Sequence, residues 1–184
     1  MTKKVAIIGP ESTGKSTLCK QLAGYYHLNW VPEYAREYLT KNGMKYSYDD
    51  LLTIAKGQVK SEDDIVLAHS KPGILGPDLV FIDTDMCVMK VWCEFVFGKC
   101  HQWILDQIVE RNYDLYLLCN IDLPWSYDPL REYPDQEPRK QLFRIYKDIL
   151  VNQSVPWAEI SGDYEQRLNG ALDAVEKYCF LPPP

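Results

Sequence analysis

GPESTGKST, residues Gly9 to Thr17, follows directly on the apolar run Val5-Ala6-Ile7-Ile8. Its first eight residues fit the pattern G-x-x-x-x-G-K-S/T, the phosphate-binding P-loop. The physical demand behind the pattern is specific. Gly9 and Gly14 let the chain turn tightly between a strand and a helix. The backbone N–H groups of Glu11, Ser12, Thr13 and Gly14 then point inward and cradle phosphate oxygens. The positive end of a helix beginning near Lys15 adds to the field. Lys15 is placed to reach the β- and γ-phosphates, Ser16 to ligate Mg²⁺, and Thr17 to reach the α-phosphate side. The stretch therefore predicts a site for a nucleoside triphosphate with Mg²⁺.

Working outward, five short apolar runs read as strands, at 5–9, 28–32, 79–83, 115–120 and 157–161. Most do not alternate, as expected of strands buried on both faces of a parallel sheet. Helical patterns fall between them, at 15–26, 33–39, 49–69, 87–97, 101–109, 136–151 and 164–179. Alternating strands and helices predict a doubly wound α/β fold. A loop rich in proline and glycine (Pro72, Gly73, Gly76, Pro77) precedes the third strand. A polar, proline-rich stretch at about 122–140 reads as an exposed lid leading into a helix. Pro182 to Pro184 read as a frayed tail.

The totals agree with one domain, or one domain plus a lid, over 1–184. A chain of 184 residues buries roughly 70% of its unfolded surface and needs no disulfide or metal staple. Apolar residues make up 46% and charged residues 25%, as in ordinary soluble proteins. A net charge of −6 argues against nucleic acid as a partner. No apolar run approaches the roughly 20 residues of a membrane span, and the N-terminus has no cleavage-site pattern, so a cytoplasmic location is expected. The six cysteines show no C-x-x-C pair and read as reduced thiols, and Cys93, Cys100 and His101 are more widely spaced than structural zinc ligands usually are.

The P-loop does not name a reaction, so the other strand ends must. In open α/β sheets ligands lie at the carboxyl ends of the strands. There stand PEYAREY (32–38), DTD (83–85) and NIDLPW (120–125). Asp83 occupies the place of an acid that helps hold Mg²⁺, and Asp85 or Thr84 is either a site residue or the cap of the next helix. Glu33 is placed to accept the proton of an attacking hydroxyl, a role equally open to Asp83, with Arg36 on the same helical face as site residue or structural ion partner. Trp92 and Trp125 suit a flat, cationic ring, with core packing the alternative for Trp92. Arg131, ahead of Arg139, is the candidate to close onto the transferring phosphate.

GPESTGKST, PEYAREY, FIDTD, YDLYLLCNIDLPWSYDPLR and ISGDYEQR together resemble the ribosylnicotinamide kinase domain of the NadR-like proteins, in the same order over nearly the whole chain. The resemblance implies a P-loop fold like that of nucleoside monophosphate kinases, with parallel strands in the order 2-3-1-4-5. It implies phosphate transfer from ATP to the 5′-hydroxyl of a small-molecule substrate, nicotinamide riboside. It places Glu33, Tyr34 and Arg36 in the riboside pocket, Asp83 at the ribose or Mg²⁺, Trp92 and Trp125 beside the nicotinamide, Asp128 and Arg131 in the lid, and Gly162, Asp163 and Arg167 near the adenine. A cationic ring fits an acidic, aromatic pocket. Family lids often read D-G-x-R, whereas this one reads Asp128-Pro129-Leu130-Arg131, which stiffens the turn. Many members carry an adenylyltransferase ahead of the kinase; the P-loop at Gly9 leaves no room for one here, so the mononucleotide rather than NAD is the expected product. Two other readings share the motif: a kinase for another nucleoside or small acceptor, and a regulatory module that binds ATP without transferring its phosphate.

Overall fold

The structure, a computed structural model, describes residues 2–69, 77–133 and 135–181. Five strands run parallel in one sheet: β1 (Lys3–Ile8), β2 (Trp30–Val31), β3 (Leu79–Asp83), β4 (Leu115–Cys119) and β5 (Trp157–Ile160). Their order is β2-β3-β1-β4-β5, as the family resemblance implies. β1 is central and pairs with β3 on one side and β4 on the other. After β1 the chain builds one half of the sheet and then crosses to build the other. The carboxyl end of β1 is thus the point where the strand order reverses, and a crevice opens there.

Unalternating strands follow from burial on both faces. Every residue of β3 and of β4 is buried. Along β1, Val5 and Ile7 face a core built with Leu18, Leu22, Ala171 and Val175, on the side of α1 (Lys15–Tyr26) and α7 (Tyr164–Val175). Ala6 and Ile8 face the other core, with Val88, Val91, Leu142 and Tyr146 from α4 (Met86–Phe97) and α6 (Gln136–Val151). A third cluster joins α2 (Tyr34–Asn42), α3 (Tyr48–His69), α4 and α5 (Gln102–Glu110) through Ala35, Leu51, Ile54, Met89 and Ile104. The molecule is therefore helix–sheet–helix, with an additional helical layer beyond β2 and β3.

Several boundaries differ from expectation, β1 starting at Lys3 rather than Val5 among them, and three have a local reason. β2 is only two residues long, not five. α1 ends in a left-handed turn at His27, φ 56°, and Leu28 N–H returns to the Ala23 carbonyl at 2.8 Å. Leu28 is thereby held at the helix end, and the edge strand starts only at Trp30. α2 runs on to Asn42, where Gly43 takes φ 90° and its N–H closes on Leu39 O. The last helix loosens into a π-helical turn, Glu176–Phe180, whose Cys179 carbonyl accepts from Lys3 Nζ at 2.7 Å. The expected loop residues Pro72, Gly73 and Gly76 lie outside the described residues, as do Pro182 to Pro184. All six cysteines are free, and all but Cys100 are buried. Among the described residues no group of three His, Cys, Asp or Glu side chains is arranged to hold a metal ion. No described helix is long and apolar enough to cross a membrane.

Candidate active site

The P-loop sits where the strand order reverses. Gly9 takes φ 139°, and a β-carbon there would lie 2.7 Å from the Cys119 carbonyl oxygen. Only glycine allows β1 to turn out this close to β4. Gly14, at φ 80°, is the N-cap of α1 and supplies no side-chain cap. The first turn of that helix therefore keeps N–H groups for an anion. The loop is braced from behind through its carbonyls. Pro10 O accepts from Thr13 Oγ1 at 2.8 Å and from Lys15 Nζ at 2.9 Å. Ser12 O accepts from Arg139 Nη2 at 3.3 Å, and Thr13 O from Arg167 Nη1 at 3.0 Å.

Arg167 is 2% exposed and carries more of this frame than any other side chain. It also donates from Nε to Gly162 O at 2.8 Å, from Nη2 to Asn120 O at 3.0 Å, and to the Asp122 carboxylate. One guanidinium thus ties together the P-loop, the end of β4 and the turn after β5. Gly162 N–H reaches Asp122 Oδ2 at 2.6 Å, and Asp163 forms a capping box with Gln166 at the start of α7. Of the residues that the resemblance sets near the adenine, Arg167 braces the P-loop, Gly162 bonds Arg167 and Asp122, and Asp163 caps α7.

The acids at the strand ends divide by environment. Asp83 is fully buried at the end of β3, and neither carboxylate oxygen has a hydrogen-bond partner. Burial, and next the charge of Glu33, push it up to about 7, against the pull of Lys15, Ser16 and Arg36. The Asp83 carboxylate and the Ser16 hydroxyl are hard oxygen donors that would suit a divalent cation, so the orphaned carboxylate fits Mg²⁺. Thr84 follows at φ 79°, a costly value for a β-branched residue, and its N–H bonds to Ile7 O at 3.2 Å. Gln58 of α3 fixes this end of β3 by donating to Asp83 O at 3.2 Å while accepting from Tyr34 N at 2.8 Å.

Asp85, expected as a site residue or as the cap of the next helix, is the cap. It is buried, caps α4 by accepting from Val88 N at 3.1 Å, and accepts from Tyr116 Oη at 3.1 Å. Both oxygens are engaged in the fold, and Asp85 does not line the cavity. Glu33 occupies the N-cap position of α2 without making a cap bond and does line it.

One cavity of about 290 Å³ joins the P-loop to a chamber between α2, α4, α6 and the lid. Residues 9–17 form one wall. Glu33, Arg36 and Arg131 add charge, and Trp92, Phe95, Tyr133 and Tyr146 add aromatic faces. Trp92 is held there by donating from Nε1 to Tyr46 Oη at 2.9 Å. Trp125 and Tyr34 do not line this cavity. The Trp125 indole packs edge-on to Tyr127, with centroids 6.3 Å apart and its Nε1 buried without a partner. The Tyr34 ring lies across Gly57 of α3.

The segment between β4 and α6 closes over the P-loop. Glu11 accepts from Glu132 N at 2.8 Å and from Tyr133 N at 2.6 Å. Ser12 Oγ accepts from Ser126 N at 3.2 Å. Arg131 donates to the Ser126 carbonyl and, at 2.6 Å, to its hydroxyl, while its side chain borders the cavity. Arg36 pairs with Asp128 at 3.0 Å, rather than with Glu33. Burial alone would raise Asp128; the Leu130 N–H and Arg36 hold it below its ordinary value.

Glu132, Tyr133, Phe95, Val88, Leu142 and Tyr146 border the cavity and were not expected from the sequence. Part of the signal was present. Val88, Trp92 and Phe95 recur at i, i+4 and i+7, and Leu142 and Tyr146 at i and i+4, so each set shares one helix face. Apolar residues on such faces look the same whether they meet a core or a ligand.

The sequence profile of the family described as AAA domain matches residues 4–167. Among curated proteins, the trifunctional NAD biosynthesis/regulator protein NadR of Salmonella typhimurium is 29% identical over 180 residues, covering 95% of this chain and 42% of that protein. Its Escherichia coli counterpart is 28% identical over the same length and shares. The chain thus spans less than half the length of these relatives. Among solved structures, a NadR protein in complex with NR superimposes with a TM-score of 0.77 at 24% identity, over 100% of this chain and 52% of that one. A NadR protein with NAD and AMP-PNP gives 0.70 at 24%, over 100% and 51%. Thymidylate kinase from Ehrlichia chaffeensis gives 0.65 at 16%, over 95% and 97%. These likenesses establish a shared fold. With the profile covering most of the chain, and with a P-loop set at the reversal point of a parallel sheet, the chain belongs to the AAA domain family and is a NadR-like P-loop domain.

Proposed function

We propose that the chain transfers the γ-phosphate of ATP to the 5′-hydroxyl of nicotinamide riboside, giving nicotinamide mononucleotide and ADP. The observation that carries this reading is one shared cavity. The P-loop, Glu33, the lid residues 130–133 and the aromatic side chains of Trp92, Phe95 and Tyr146 line it together. A pure nucleotide switch has no need of an aromatic chamber adjoining its P-loop. Relatives named for NAD biosynthesis, and a matching fold solved with NR, support the same reading.

Phosphoryl transfer asks mainly for positioning and charge neutralisation. The P-loop N–H groups and Lys15 would hold the β- and γ-phosphates, Lys15 leaving Pro10 O to do so. Ser16 and Asp83 would hold Mg²⁺, which when bound neutralises charge on the phosphate oxygens. Glu33, lining the chamber while Asp83 is enclosed, would accept the proton of the 5′-hydroxyl as its oxygen bonds to phosphorus. Arg131 would swing from Ser126 onto the transferring group, in the low-dielectric space the lid encloses.

The test is an assay with ATP, Mg²⁺ and a panel of nucleosides, with products read by mass. Mononucleotide formed from nicotinamide riboside supports the proposal. Transfer to a different acceptor keeps the kinase and removes the substrate. ATP bound but left intact with every acceptor favours the regulatory module.

A further inference from the structure

Glu132, on the lid, lines the cavity and is exposed. Its carboxylate has one hydroxyl neighbour, Tyr46 Oη, at 2.9 Å and 3.0 Å from its two oxygens. The same hydroxyl accepts from Trp92 Nε1 at 2.9 Å, and the Tyr46 and Trp92 rings meet edge to face with centroids 5.0 Å apart. Tyr46 therefore orients both the carboxylate and an aromatic wall of the chamber. No lysine or arginine is among the described groups that bear on the charge of Glu132; burial raises it first, Tyr46 lowers it, and Glu11 raises it further. The other carboxylates that line the cavity differ in kind: Glu11 takes two lid N–H groups, and Glu33 stands at the start of α2 beside the P-loop. Glu132 is the one whose described side-chain partner is an aromatic hydroxyl, shared with Trp92.

A carboxylate beside π-faces with no cation of its own favours a ligand that brings one. We propose that Glu132, positioned by Tyr46, makes the chamber selective for a positively charged ring, so that a cationic pyridinium riboside is taken in preference to a neutral riboside of closely similar shape. This rests on the reading of the chamber as a riboside site and names the group that sets its charge preference. The chemistry is local. The ring lies against Trp92 while its charge lies near Glu132, and the 5′-hydroxyl points inward to Glu33. Glu132 is solvent-accessible before the ligand closes over it, so the preference is moderate and sensitive to salt.

The experiment compares nicotinamide riboside with its neutral dihydropyridine form, in the wild type, Glu132→Gln and Glu132→Asp. Both kcat/KM and binding, read by tryptophan fluorescence, are measured for each ligand. The wild type is expected to prefer the cation, and Glu132→Gln to shrink the cation-to-neutral ratio roughly fivefold. Glu132→Asp is expected to keep part of the ratio, and added salt to lower it in the wild type but not in Glu132→Gln. An unchanged ratio in Glu132→Gln, with both ligands weakened together or neither, overturns the inference and leaves the kinase reading intact. A binding preference that depends on Glu132 without phosphate transfer supports the inference and overturns the kinase reading.

Discussion

Glu11 of the P-loop accepts a 2.6 Å hydrogen bond from the backbone N–H of Tyr133 in the lid, and a second, at 2.8 Å, from Glu132 N. The nucleotide loop and the lid are thereby one mechanical unit. A carboxylate accepting two backbone N–H groups is a charge-assisted contact. Glu11→Ala should release residues 131–133 while leaving the core intact. Hydrogen exchange should show faster exchange there, and the acceptor KM should rise roughly fivefold, since about 1 kcal/mol of closure is lost. Unchanged exchange at 132 and 133 would show that the lid is held by other contacts.

Arg167 has a larger structural role than its position after β5 suggests. It is buried and bonds Thr13 O, Gly162 O, Asn120 O and Asp122. Arg167→Met would leave three carbonyls and a carboxylate without their donor. The expected cost is about 3 kcal/mol, which for a chain of this size lowers Tm by roughly 6–12 °C. ATP affinity should fall as well, because the P-loop loses its brace. Thermal melts with and without nucleotide measure both effects. A variant with wild-type Tm would contradict the frame described here.

Asp83 gives the ligand-free protein a particular pH dependence. Its pKa is raised in the folded state, from 3.8 to about 7, so over that interval the folded chain keeps a proton that the unfolded chain has lost. Its contribution to stability is therefore full below about pH 4 and falls as pH rises toward 7. Mg²⁺ with nucleotide favours the carboxylate, so binding should tighten over the same range. Urea midpoints between pH 4 and 8 should slope less steeply for Asp83→Asn than for the wild type. Parallel slopes would assign the dependence to other groups.

The Arg36–Asp128 pair joins α2 to the lid and is half exposed on the arginine side, 49% against 20% for the aspartate. Such a pair contributes little to folding, about 1 kcal/mol or less. Its expected effect is on closure. Arg36→Met and Asp128→Asn should each raise the acceptor KM with Tm nearly unchanged, and the double variant should lose little more than either single. Additive losses in a double-mutant cycle would show that the two residues act separately.

The sheet was legible because its causes are local. An apolar run that does not alternate, a glycine turn and a helix of known phase at 5–26 leave few alternatives, and β3, α1 and α6 fall at the expected residues. The cavity was legible where a motif fixes the local backbone, as at residues 9–17, which line it. It was not legible where side chains meet across the fold. Asp85 reads like Asp83 in DTD, yet Tyr116 from β4 and the start of α4 claim it. Trp125 lies in a polar loop, yet its indole packs against Tyr127 instead of lining the cavity. Arg167 and Tyr46 act through partners 154 and 86 residues away, and no local pattern announces such contacts.

The most direct test of the central claim is the stoichiometry of transfer in the wild type and in Lys15→Ala. ATP, Mg²⁺ and nicotinamide riboside would be incubated with each protein, with ADP and mononucleotide quantified by mass. The account predicts equal amounts of ADP and mononucleotide from the wild type. It predicts a loss of at least about a hundredfold in rate for Lys15→Ala, with Tm little changed. ADP without mononucleotide, or a Lys15→Ala variant that transfers phosphate at the wild-type rate, would contradict it.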